Sequence, residues 1–199
     1  MPLKNIAKVD PPKGNILYLI DRPESQQSAI ITGHITEPYG AVSEIARENM
    51  MDVLGSQFTS RINMNLREDK GWAYGAYTFM PDARGQRMWM VYAPVQTDRT
   101  GDSIKELLSE FDGFQADARA TDSELEKSVK NNVNSLPGQF ETGNAVLASM
   151  LSNRRFDRDD DYVESLTGKY QSLDLDDVHD ATDKVIKADR LTWLIVGDR

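Results

Sequence analysis

"LGSQFTSRINMNLREDKGWAYGAYTFM", Leu54 to Met80, is the stretch on which the fold is read. Phe58, Ile62 and Leu66 recur at intervals of four, the spacing of one helical face, so residues 57–71 read as a helix. Its last turn is charged, and Gly71 is placed to end it. "WAYGAYTFM" (72–80) is aromatic and reads as a strand. In such a strand Tyr74, Ala76, Thr78 and Met80 share one face, with Tyr77 and Phe79 on the other. A helix that folds back through a glycine into a strand can bring Arg67 and Tyr74 side by side.

Working outward, "EPYGAVSEIARENMMDVLG" (37–55) carries Val42, Ile45, Ala46, Met50, Val53 and Leu54 on one helical face, with Gly55 as its cap. Before it lie two strands, 15–21 and 29–36, after an extended lead-in over 1–15 that "DPPKG" keeps from being helical. After it, the turn-rich "PDARGQ" joins 72–80 to a second strand, 87–95, as a hairpin. The second half is mostly helical. Ile104, Leu107, Leu108, Phe111 and Phe114 make one stripe. Thr121 to Glu124 is a capping box ahead of Leu125, Val129, Val133 and Leu136. "PGQ" (137–139) breaks that helix, and Val146, Leu147, Met150 and Leu151 mark the next one. A helix with Val178, Ala181 and Val185 on one face precedes a fully apolar closing strand, "RLTWLIVGDR". Strands and helices do not alternate, which excludes a doubly wound parallel sheet. The expected class is α+β, a mostly antiparallel sheet with helices packed on one face. The ending on "VGDR" suggests a single module, residues 1–199, excised from a longer chain.

Composition removes several functions. The formal charge of -9 over 199 residues disfavours nucleic acid and anionic membranes. No apolar run approaches the roughly 18 residues of a membrane span, and the N-terminus lacks the apolar core of a signal peptide. Cysteine is absent, and the two histidines, His34 and His179, lie far apart. No H-x-x-E-H or H-x-x-H pairing exists, so no histidine zinc site is expected in this chain. "DRDDDY" (157–162) lacks calcium-loop spacing and reads as a solvated helix start. His34 reads as structural or surface and His179 as exposed.

Arg67 and Tyr74 admit two readings. A guanidinium beside a phenol offers donors suited to a carbonyl oxygen that becomes an oxyanion. Alternatively, Arg67 offsets the helix dipole and pairs with Asp69 or a neighbour, while Tyr74 packs. Glu68 and Lys70 could orient Arg67, or be solvated charges. Trp72 could line a substrate groove, or belong to the core.

Leu54-Gly55, Phe58, Ser60-Arg61, Asn63, Leu66-Arg67-Glu68, Gly71 and Tyr74 together resemble the C-terminal module of the pitrilysin/insulinase-type zinc metallopeptidases, the inverzincins. "LYLIDRPESQQSAIITGHI" and "LIVGD" resemble that module's opening and closing strands more weakly, so the resemblance covers nearly the whole chain. It implies the LuxS/MPP-like two-layer sandwich. It also implies a partner module, in the same chain or a separate subunit, that bears H-x-x-E-H and zinc. An arginine and a tyrosine of this half, by match Arg67 and Tyr74, would contact the scissile carbonyl of a peptide or unfolded protein, with Trp72 beside them. Substrate would add as a strand to a sheet edge. Lacking the zinc motif, this chain would bind no cofactor and hydrolyse nothing alone. The alternative is a non-catalytic scaffold or peptide-binding subunit of the same family. By family habit the setting would be periplasm or cell envelope.

Overall fold

The protein is described from a computed structural model covering residues 7–198; residues 1–6 of the expected lead-in, and Arg199, lie outside the described residues. Five strands form one sheet: β1 (Ile16–Asp21), β2 (Gln27–Thr36), β3 (Tyr77–Phe79), β4 (Arg87–Gln96) and β5 (Thr192–Gly197). Their order is β1-β5-β2-β4-β3. β1 and β5 run parallel, and the other neighbours are antiparallel. The helices are α1 (Glu44–Met51), α2 (Arg61–Asn63), α3 (Thr100–Gln115), α4 (Asp122–Ser135), α5 (Gly143–Arg155), α6 (Tyr162–Gln171) and α7 (Leu175–Val185). The class is α+β, as the order of elements implied.

Alternation along the strands decides which face is covered. On β4, Arg87, Trp89, Val91, Ala93 and Val95 are all buried, while Met88, Tyr92 and Gln96 are exposed. Trp89 sits at the centre, stacked on His34 and edge-on to Phe111 of α3, with centroids 5.3 Å apart in both pairs. Met50, Leu54, Ile62, Leu66, Leu107, Val178 and Val185 close this core from the helical side. His34 is buried there. Its Nε2 accepts the Lys187 N–H, and desolvation lowers its pKa, so the ring is a neutral structural element.

β1 is different. Leu17, Tyr18, Leu19 and Ile20 are all exposed, so side chains on both faces of this edge strand face solvent. Periodicity also misplaces α5. Val146, Leu147, Met150 and Leu151 form the expected stripe, but none is buried. A 3.6-residue period reports that a helix is two-sided, not that something covers the apolar side. The helix expected over 37–55 begins only at Glu44, with Ser43 as its N-cap accepting the Ala46 N–H.

Candidate functional site

The segment after α1 does not run as one helix. Asp52–Ser56 is a wide turn, Gln57 is extended, and helical backbone resumes at Arg61. A glycine is needed at position 55 because a Cβ there would lie 2.4 Å from Cγ2 of Thr78. The break turns Phe58 outward. It is 55% exposed, while Ile62 and Leu66, its expected partners on one face, are buried. Sequence spacing placed Phe58 in the core; the extended residue before it removes it from that helical face.

Met64–Asp69 is again wound wide, with the Lys70 N–H bonded to the Asn65 carbonyl five residues back. Such wide turns recur at functional sites. Gly71, at φ +67°, ends the helix and reverses the chain. The Leu66 carbonyl then accepts from both Trp72 N–H (2.9 Å) and Ala73 N–H (3.2 Å). This closure returns the chain past Arg67.

The strand expected over 72–80 is shorter. Ala73 makes one bridge to Val95, the chain bends at Tyr74, and pairing resumes at Tyr77. The cause is a side chain. The amide of Ala76 donates to Oδ1 of Asn63 (3.0 Å) rather than to a neighbouring strand. Asn63 is fully buried, and its Nδ2 donates to the Phe58 carbonyl (2.6 Å). It thus ties together the two segments that carry Phe58 and Tyr74. Tyr74 does not share the buried face of Ala76, Thr78 and Met80; it is 83% exposed.

Arg67 lies between the rings so placed. Its guanidinium carbon is 4.3 Å from the Phe58 centroid and 5.5 Å from the Tyr74 centroid. Its Nε is 3.4 Å from Glu68 Oε1, an ion pair without hydrogen-bond geometry. Among the described residues, the Arg67 side chain makes no hydrogen bond. Of the pairings expected, with Asp69 or with a neighbour, the one with the neighbour Glu68 forms. The guanidinium lies within cation–π distance of two rings, a contact that consumes none of its N–H groups. Of the other predicted participants, Trp72 is half-buried against the core edge, with Lys70 Nζ 5.5 Å and Arg99 5.8 Å from its ring. Lys70 pairs with Glu106 rather than orienting Arg67. Phe58 and Asn63 entered the sequence reading only as pattern positions, not as parts of a site; an aromatic nine residues before the arginine was the available signal.

No group of three or more His, Asp or Glu among the described residues could hold a metal. His179, expected exposed, is half-buried with Nε2 3.0 Å from the Ala120 carbonyl. In the 157–162 stretch, Asp157 pairs with Arg84 and Arg158 donates to the Tyr39 hydroxyl, while α6 starts only at Tyr162.

Comparisons with known proteins agree on one family. The family described as the peptidase M16 inactive domain matches residues 2–132. The uncharacterized zinc protease YmxG of Bacillus subtilis (strain 168) is 28% identical over 142 residues, which are 66% of this chain and 31% of that protein. A peptidase M16 inactive domain from Pseudomonas fluorescens superposes with a TM-score of 0.86 at 18% identity, covering 99% of this chain and 46% of the other. The ferredoxin protease FusC, solved in complex with Arabidopsis ferredoxin, superposes with a TM-score of 0.68 at 15% identity, covering all of this chain and 22% of the other. The chain thus spans less than half the length of each.

Proposed function

Because the chain belongs to the peptidase M16 inactive-domain family, we propose that it is the substrate-holding, catalysis-completing half of a zinc-dependent endopeptidase. Arg67 and Tyr74 donate to the scissile carbonyl oxygen, and Trp72 borders the groove. The attacking chemistry comes from an H-x-x-E-H module, in the same polypeptide or in a separate subunit. Substrate is a peptide or an unfolded protein; the ferredoxin bound to FusC is a protein ligand on a chain of this fold.

One observation carries the reading. Arg67 lies against two rings and pairs with Glu68 at 3.4 Å, yet no hydrogen-bond acceptor in the described protein uses its N–H groups. A donor set placed by its neighbours and left without hydrogen bonds is suited to charge that develops on a ligand oxygen. Tyr74 stands beside it, exposed, with a phenol that can donate a second hydrogen bond. The bare apolar side chains of β1 and the partial coverage of longer relatives support a partner module of the same fold packed against this one.

The test is turnover of the chain assembled with its zinc-bearing module. Arg67→Ala and Tyr74→Phe should each lower kcat about a hundredfold, the scale of losing one oxyanion donor. Turnover near the parent value in both would leave the scaffold or peptide-binding reading in its place.

A further inference from the structure

Phe58 has two faces with different neighbours. One carries the Arg67 guanidinium. Phe58 also forms a wall of an open cleft of about 530 Å³, shared with Gln57, Lys127, Lys130, Asn131 and Asn134. Lys127 and Lys130 are one helical turn apart on α4 and so lie on one side of it. Neither has a carboxylate within ion-pair distance among the described residues, although acidic residues outnumber basic ones, 32 to 23. Of the nearby acids, Asp122 and Glu126 lie with Lys130 on the adjoining cleft, while Glu124 and Asp52 are engaged elsewhere. Glu124 is bonded by both Nε and an Nη of Arg61 (2.6 Å each), and Asp52 by Asn132 (2.8 Å) and Ser128 (3.0 Å). The cleft lining itself holds no carboxylate: two ammonium groups, amides, one threonine and one aromatic ring. Asn131 donates to Gln57 across it at 3.0 Å, which leaves the lysines as its uncommitted charges.

We propose that this cleft is a substrate subsite for an acidic side chain, Asp or Glu, a few residues along the peptide from the carbonyl held at Arg67. The inference rests on the reading of Arg67 as a substrate contact, because Phe58 borders both places. The lysines select; they take no part in bond breaking. Two partly exposed ammonium groups facing one carboxylate give a modest preference, about three- to tenfold in affinity, and one that salt weakens.

The experiment is fluorescence anisotropy of the full chain with labelled extended peptides that differ only by Glu against Gln at successive positions. At one position the Glu peptide should bind about three- to tenfold more tightly at low salt, with the difference fading at high salt. Lys127→Glu/Lys130→Glu should reverse the preference, favouring a Lys peptide. Lys127→Gln/Lys130→Gln, which adds no new charge, should abolish it and covers the case in which the double reversal fails to fold. Arg67→Ala should weaken Glu and Gln peptides alike and leave their ratio intact, which separates a failure of the carbonyl reading from a failure of the subsite. Equal binding of Glu and Gln peptides at every position, failure of every peptide to bind, or a preference that survives the Gln double variant would overturn the proposal.

Discussion

Arg87 and Arg67 lie toward opposite ends of β4 and are built in opposite ways. Arg87, 2% exposed, donates to the carbonyls of Glu37 (3.0 Å) and Pro38 (3.2 Å), to Glu44 Oε2 (2.7 Å) and to Asp82 Oδ1 (3.4 Å). Four of its five N–H donors join the β2–α1 loop, α1 and the β3–β4 turn. Arg61 is similar, forked onto Glu124 and bonded to the carbonyls of Ala118 and Arg119. Arg67 instead lies against ring faces, which consume no donor. An arginine whose donors are mostly committed is part of the fold, whereas one with its donors open is available to a ligand.

The contrast can be broken by substitution, beginning with the largest effect. Arg87→Ala leaves the half-buried Glu44 with Arg47 as its remaining ion-pair partner and should cost on the order of 3 kcal/mol in denaturant unfolding. A loss under 1 kcal/mol would erase the distinction. Gly71→Ala forces a Cβ into a left-handed backbone and should cost about 1–2 kcal/mol, with turnover falling as the chain reversal past Arg67 loosens. Phe58→Leu keeps bulk but removes one ring face from Arg67. Stability should change little at this exposed position, and turnover should fall about two- to fivefold, the worth of an exposed cation–π contact. If turnover is unchanged, the ring does not position the guanidinium.

A smaller effect depends on pH. Burial raises the Glu48 carboxyl above its ordinary 4.5, against the lowering effect of the 2.7 Å hydrogen bond from Tyr170. A raised carboxyl destabilises the fold where it is charged and costs nothing where both folded and unfolded states are protonated. Glu48→Gln, which still accepts from Tyr170, should therefore stabilise the protein at pH 7. The gain should shrink as pH falls through the raised pKa of Glu48 and vanish below 4.5. A gain that grows in acid would contradict this sign.

The sheet was largely legible because β2, β4 and β5 follow a two-residue period or a continuous apolar run, and burial repeats that pattern. The capping box at Thr121 was legible because it is a local hydrogen-bond exchange between Thr121 and Glu124. The candidate pair was legible as two residues that the fold brings near one another, Arg67 and Tyr74, not as a geometry. Phe58, Ile62 and Leu66 satisfy a four-residue spacing whether or not the helix is continuous, so the extended backbone at Gln57 left no trace in the sequence. The bend at Tyr74 arises from a bond between Asn63 and Ala76, thirteen residues apart, which no local propensity encodes. The exposed apolar residues of β1 and α5 look like core residues because sequence records hydrophobicity and not the neighbour that covers it.

The most direct test is a paired measurement on Arg67→Ala in the assembled peptidase: unfolding free energy and kcat on the same preparation. The account predicts stability within about 0.5 kcal/mol of the parent, as for a surface change outside any network, together with a roughly hundredfold loss of kcat. Unchanged kcat, or a fall in activity matched by a large fall in stability, would show that Arg67 belongs to the fold as Arg87 does.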